Sequence, residues 1–201
     1  MPWRWPEIIQ AAEDIEIPLS EDDIRKDFRK SFLKKQGIKI VSYMELRNYQ
    51  SINELLYPSG RCMILYEYED HYGHWTCLFK TKTGVNFFDS YGIEIDSQLL
   101  DIPENYRGDY PHLTYLLYRF KTMNPEATVD FNEYALQEEE KNINTCGKWC
   151  VIRMYLPDIS NRVFARLFQP QEIVLNAKGK RYKIDLDPDL LVSLVYNVFT
   201  S

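Results

Sequence analysis

Cys146 stands in the run Asn-Thr-Cys-Gly-Lys-Trp-Cys, just ahead of an apolar stretch that stops before Pro157. Asn144 or Thr145 can cap a helix here, which puts the thiol in the first helical turn. The partial positive charge of a helix N-terminus favours thiolate over thiol, the form in which cysteine is a nucleophile. Gly147 carries no side chain, so it leaves room above the sulfur and allows another chain to approach closely. A thiol so placed is a candidate nucleophile. Taken alone, the segment is equally compatible with a buried, inert cysteine packed as a small apolar group.

A thiol nucleophile needs a positioned imidazole with a pKa near the working pH. The chain has three histidines, at 71, 74 and 112. His74, in Tyr72-Gly73-His74-Trp75, falls at the start of a strand and is the candidate base; a structural histidine fits the same position. His71 and His112 read as solvated loop residues. Asp89 closes the next strand, in Asn86-Phe87-Phe88-Asp89-Ser90-Tyr91-Gly92. If the two strands are adjacent and antiparallel, its carboxylate can orient the imidazole and stabilise its protonated form. A turn-capping aspartate reads the same way. Gln137 precedes the acidic run Glu138-Glu139-Glu140 and lies nine residues ahead of Cys146. Its amide can donate to a tetrahedral oxyanion beside the backbone N–H of Cys146, and a plain surface glutamine is the alternative.

The remaining reactive types read as structural. Cys150 lies one turn beyond Cys146 on the inward face, and Cys62 and Cys77 sit in strands among apolar neighbours. No CxxC pair or His/Cys set at zinc-ligand spacing occurs, nor any GxGxxG or Walker-type loop. No cofactor is expected.

The elements that position these residues follow from periodicity. Residues 1–60 read as a helical N-terminal layer. Within it Ser20 caps a helix carrying Ile24, Phe28 and Phe32 and ending near Gly37, and Ser42/Glu45 and Ser51/Glu54 form capping boxes. Residues 61–156 read as the catalytic core. Strands are expected at Cys62 to Tyr68, His74 to Lys80, Val85 to Ser90 and Thr114 to Phe120, with a fifth within Thr128 to Tyr134. The helix opened by Asn144 or Thr145 follows. Residues 157–201 read as C-terminal helices, one from about Asn161 to Phe168 and one capped by Asp187 with Pro188 at its first position. Helices, a meander, then helices is an α+β pattern in a single domain.

Over its 201 residues the chain has a formal net charge of −6, which disfavours general nucleic-acid binding. The basic stretch from Arg25-Lys26 to Lys34-Lys35 reads as a solvated helix face. No run of 18 apolar residues and no signal-peptide pattern occurs, so a soluble intracellular protein with free thiols is expected.

In chain order, His74-Trp75, Phe87-Phe88-Asp89-Ser90-Tyr91-Gly92, Leu136-Gln137 and Thr145-Cys146-Gly147-Lys148-Trp149 resemble the pattern of the adenovirus maturation protease superfamily. That superfamily includes the SUMO-deconjugating peptidases and the proteases of large DNA viruses and virophages. The similarity covers residues 61–156. It implies a papain-like, adenain-like fold, in which a central helix bearing the nucleophile packs on a mixed, mainly antiparallel sheet. It implies catalysis by Cys146, His74, Asp89 and Gln137, and a substrate groove formed by Trp75 and Gly147. The expected activity is cleavage of capsid or core precursors after Gly-Gly or Gly-X, in the virion and the host cytoplasm. Deconjugation of SUMO-like modifiers, acyl transfer and a non-catalytic capsid or scaffold role are the alternatives. A nucleic-acid or peptide activator is compatible with the superfamily but gains no support from the net charge. One departure stands out: Gln and Cys are about six or seven residues apart in these relatives, against nine here.

Overall fold

Alternation along the central strands dictates a sheet covered on both faces. In β2 (Arg61–Glu69), Cys62, Ile64 and Tyr66 enter one apolar cluster while Met63 and Leu65 enter another. The same split divides Leu78 from Cys77 and Phe79 in β3 (Tyr72–Lys80), and Val85 and Phe87 from Phe88 in β4 (Gly84–Phe88). Strands buried on both faces read as continuous apolar runs, as these do. The computed structural model of the chain describes residues 4–30, 37–140, 142–177 and 180–200.

Five strands form the main sheet in the order β1-β2-β3-β4-β5. β2, β3 and β4 are an antiparallel meander, as expected. β1 (Lys39–Ser42) and β5 (Thr128–Phe131) flank it, each parallel to its neighbour. On one face lie α3 (Ile52–Leu56), α5 (His112–Met123) and the 3-10 turn Tyr43–Asn48; short α4 (Glu104–Arg107) sits against β2 and that turn. On the other face lies α6 (Cys146–Tyr155), all ten of whose residues are buried. Around it pack α1 (Trp5–Asp14), α2 (Glu21–Lys30), α7 (Asn161–Leu167) and α8 (Pro188–Thr200).

Local signals explain most boundaries. The Ser20 hydroxyl accepts the Asp23 N–H at 3.2 Å while the Asp23 carboxylate accepts the Ser20 N–H at 3.1 Å, a capping box at the start of α2. The Ser42/Glu45 box is formed in full. At α3 the Ser51 hydroxyl accepts the Glu54 N–H as expected, but the Glu54 carboxylate accepts from Gln50 N–H. Asp187 caps α8 by accepting the Leu190 N–H at 2.7 Å. The expectations at Phe32, Lys34 and Lys35 fall outside the described residues.

The structure corrects four expectations. Thr114 to Phe120 belongs to helix α5, whose Leu113, Leu116, Leu117 and Phe120 recur at helical spacing and pack on the sheet. The N-terminal sixty residues contain a strand, β1. The C-terminal segment contains an antiparallel hairpin, β6 (Gln171–Ala177) with β7 (Lys180–Leu186), between its helices. His112 is buried in the first turn of α5, its ring 4.2 Å from Tyr110 and 5.9 Å from Tyr43, so it is not solvated. The fold is α+β with a mixed sheet. Among the described residues no helix is long and apolar enough to cross a membrane.

Candidate active site

His74 sits near the start of β3, opposite Tyr66, and its neighbour Gly73 is required there: a β-carbon would overlap the Tyr66 carbonyl. The β3–β4 ladder ends at Cys77–Phe88, so His74 and Asp89 lie beyond its last pair. There the His74 Nε2 is 3.1 Å from Asp89 Oδ1, with the two side chains 3% and 0% exposed. With Nε2 committed to Asp89, Nδ1 is the other ring nitrogen, and Cys146 lies near enough for its sulfur to act on the charge of the imidazole. Burial works against the imidazolium, but the Asp89 charge, its hydrogen bond and Cys146 outweigh it, lifting the His74 pKa to about 10. The arrangement is that of an imidazolium held between a carboxylate and a sulfur.

Asp89 is itself held on every side. Its Oδ1 also accepts the Tyr91 N–H at 2.8 Å, its Oδ2 accepts the Gln98 side-chain amide, and its backbone carbonyl accepts from Asn132 Nδ2 at 2.6 Å. The Tyr91 ring stacks on the imidazole at 4.6 Å and 22°. Burial and the nearby Cys146 push the Tyr91 phenol upward, which keeps it protonated. Sequence reasoning assigned no role to Gln98, Asn132 or Tyr91.

Cys146 opens α6 and is 8% exposed, while Cys62, Cys77 and Cys150 are fully buried, and all four thiols are free. Burial pushes the Cys62 and Cys150 thiols up, leaving both inert. Thr145 precedes the helix but does not cap it; its hydroxyl donates instead to Asp189 in α8. Its backbone is helical rather than extended, which is not the conformation in which an N-cap side chain reaches the first-turn N–H groups.

Gln137 is 5% exposed rather than a surface glutamine. Its Oε1 accepts the Ser90 hydroxyl at 2.8 Å, which turns its amide nitrogen toward the Tyr91 hydroxyl and the Ile143 carbonyl, each at 3.2 Å. Of the other nearby amides, Asn142 is exposed and the Asn144 side chain donates to Glu16 O at 2.9 Å.

Trp75 and Gly147 both lie under the chain's own N-terminal segment. The Trp75 Nε1–H donates to Leu19 O at 2.9 Å, and the indole is 4% exposed. A β-carbon on Gly147 would lie 3.1 Å from the Leu19 side chain and 3.3 Å from Trp75, so the glycine is sealed between them. Asn144 N–H donates to Ile15 O at 2.9 Å, and the Lys148 ammonium to Asp14 O. Residues flanking the thiol thus read four backbone carbonyls of the 14–19 segment.

A cavity of about 770 Å³ between α5 and β5, lined by Ile95, Leu117, Tyr118 and Val129 among others, includes none of these residues. One group among the described residues, Glu67, Asp70 and His71 in and beside the β2–β3 turn, brings three metal-ligating atoms within 4.8 Å of one another; Cys146 has no part in it.

No protein-family model matches the chain. Over 161 residues it is 39% identical to the uncharacterized protein V9 of Sputnik virophage, an alignment covering 78% of this chain and 84% of that protein. At that identity and coverage, the chain belongs to the viral protein family represented by the virophage protein V9.

Proposed function

We propose that the protein is a cysteine endopeptidase of the adenain-like, papain-related superfamily, acting on viral capsid or core precursor proteins after Gly-Gly or Gly-X. One observation carries the reading: the line from Asp89 through His74 to Cys146 at the N-terminus of a buried helix. A virophage relative fits a role in virion maturation, in the virion and the host cytoplasm.

The raised His74 pKa favours a pre-formed thiolate–imidazolium pair over proton abstraction during attack. The Cys146 sulfur adds to the scissile carbonyl carbon, and the carbonyl electron pair moves onto oxygen. That oxyanion accepts from the Cys146 N–H and from the Gln137 amide, which exchanges its Tyr91 or Ile143 partner for it. Collapse expels the amine, which takes its proton from His74, and leaves a thioester on Cys146. Neutral His74 then deprotonates a water whose oxygen attacks the thioester; the thiolate departs, the acid is released and the ion pair is restored. Asp89 steadies the imidazolium throughout, held in turn by Gln98 and the Tyr91 N–H.

The test is turnover of a peptide library by wild type and by Cys146→Ala. Wild type should cleave after glycine and the variant should be inert while keeping its melting temperature. Undiminished cleavage by a folded Cys146→Ala protein would overturn the reading.

A further inference from the structure

Asp189 lies in the first turn of α8, is 1% exposed, and takes no direct part in the proposed chemistry. Its Oδ2 accepts the Glu138 N–H at 3.0 Å, and its Oδ1 accepts the Trp149 indole N–H at 2.9 Å and the Thr145 hydroxyl. These three donors bracket the two groups proposed to meet the oxyanion. Glu138 directly follows Gln137, while Thr145 and Trp149 flank the turn that starts at Cys146. Between them runs a loop with three consecutive glutamates, whose described residues form no helix or strand to fix its ends.

We propose that Asp189 is a positioning residue for the oxyanion site: it clamps the Gln137 loop to the start of α6. The inference rests on the peptidase reading of the same site. Burial opposes the Asp189 carboxylate, and the three hydrogen bonds offset that penalty, so the clamp holds only while its partners stay in place.

Asp189→Asn retains an oxygen for Thr145 and Trp149 but turns an N–H toward the Glu138 N–H, opening the loop arm alone. Turnover number should fall by about tenfold to a hundredfold with KM little changed, since one oxyanion donor is worth about 10²–10³. The pH profile of Cys146 alkylation should not move, because the His74–Asp89 contacts are untouched. Combined with Gln137→Ala, the substitution should add no further loss. Hydrogen–deuterium exchange should quicken across residues 137–144, a readout that needs no substrate. Asp189→Ala should be slower still. Should Asp189→Asn fail to fold, Glu138→Pro removes the same N–H and should give the same readings. Unchanged exchange, losses that multiply with Gln137→Ala, or a shifted alkylation profile would each overturn the proposal. Faster exchange in a protein inert toward every peptide would sustain the clamp and sink the peptidase reading instead.

Discussion

Gln98 donates its side-chain amide to the very carboxylate, Asp89, that steadies His74, and its own buried Oε1 accepts from no donor among the described residues. The amide is thus dedicated to Asp89. Removing the charge at the centre of this chain should be read in the imidazole. In Asp89→Asn the His74 pKa should drop from about 10 toward or below the ordinary histidine value, because burial then acts with less opposition. The alkaline limb of turnover should move down by roughly two or more pH units. An NMR titration of His74 checks this directly; an unmoved pKa would mean that another group holds the imidazolium.

The same shift has a sign in stability. A folded-state pKa raised above the unfolded 6.5 stabilises the fold fully below that value and loses its contribution as pH climbs through about 10. Wild type should therefore lose more stability than Asp89→Asn between about pH 6.5 and 10. Paired denaturant titrations across that window make the comparison, and parallel curves would refute it.

Thiol chemistry should single out Cys146. In the native protein one cysteine of four should label with an alkylating reagent, since the other three are fully buried. The rate should fall in His74→Ala, which removes the imidazole that favours the reactive thiolate. Mass spectrometry identifies the labelled residue; labelling at Cys150 first would contradict the assignment.

Leu19 and Trp75 close the space over Gly147, so a side chain next to the scissile bond on that face has nowhere to go. Glycine should dominate before the cleaved bond, with little turnover for Leu, Phe or Arg there. Trp75→Ala and Leu19→Gly should both relax this preference, and Trp75→Ala should also weaken binding. Cleavage profiles of the three proteins decide it: dominant wild-type cleavage after a large side chain would remove the groove argument.

Phe164 on α7 is fully buried, with its ring edge-on to Phe88 at 5.5 Å and close to Trp149 at 6.1 Å. Phe164→Ala should cost about 3–5 kcal/mol in stability by leaving a cavity in a packed aromatic cluster. The alkylation profile of Cys146 should survive, because no contact of His74 is removed. Chemical denaturation measures the first and alkylation the second.

What was legible in the sequence is what depends on local pattern. Cys146 and Thr145 announce a helix start, and His74 and Asp89 mark a strand start and a strand end on neighbouring antiparallel strands, meeting just beyond the last pair of their ladder. The supports of these residues were not legible. Gln98 comes from the short 3-10 turn Ser97–Leu100 and Tyr91 and Asn132 from loops, and nothing in their spacing tells which way such connections turn. Leu19 and Asp189 reach the site from near the two ends of the chain through tertiary packing alone. The strand expected at Thr114 failed for a different reason. Its threonine, tyrosines and phenylalanine are strand-prone types, but the leucines among them repeat every three and four residues, and that period prevailed. The hairpin β6–β7 went unread although Tyr182, Ile184 and Leu186 alternate as strand residues do.

The fastenings around Cys146 span great distances along the chain: Lys148 to Asp14 across 134 residues, Thr145 to Asp189 across 44. Synthesis runs from one end, so a nascent chain carries His74, Asp89 and Cys146 well before α8 leaves the ribosome. During that interval the thiol exists without the carboxylate that ties Thr145 and Trp149 to the Gln137 loop. Contacts of such long separation also form late in folding. On the proposed reading, the order of translation delays completion of the oxyanion site until α8 docks, and a polypeptide released short of Asp189 would carry Cys146 without its clamp.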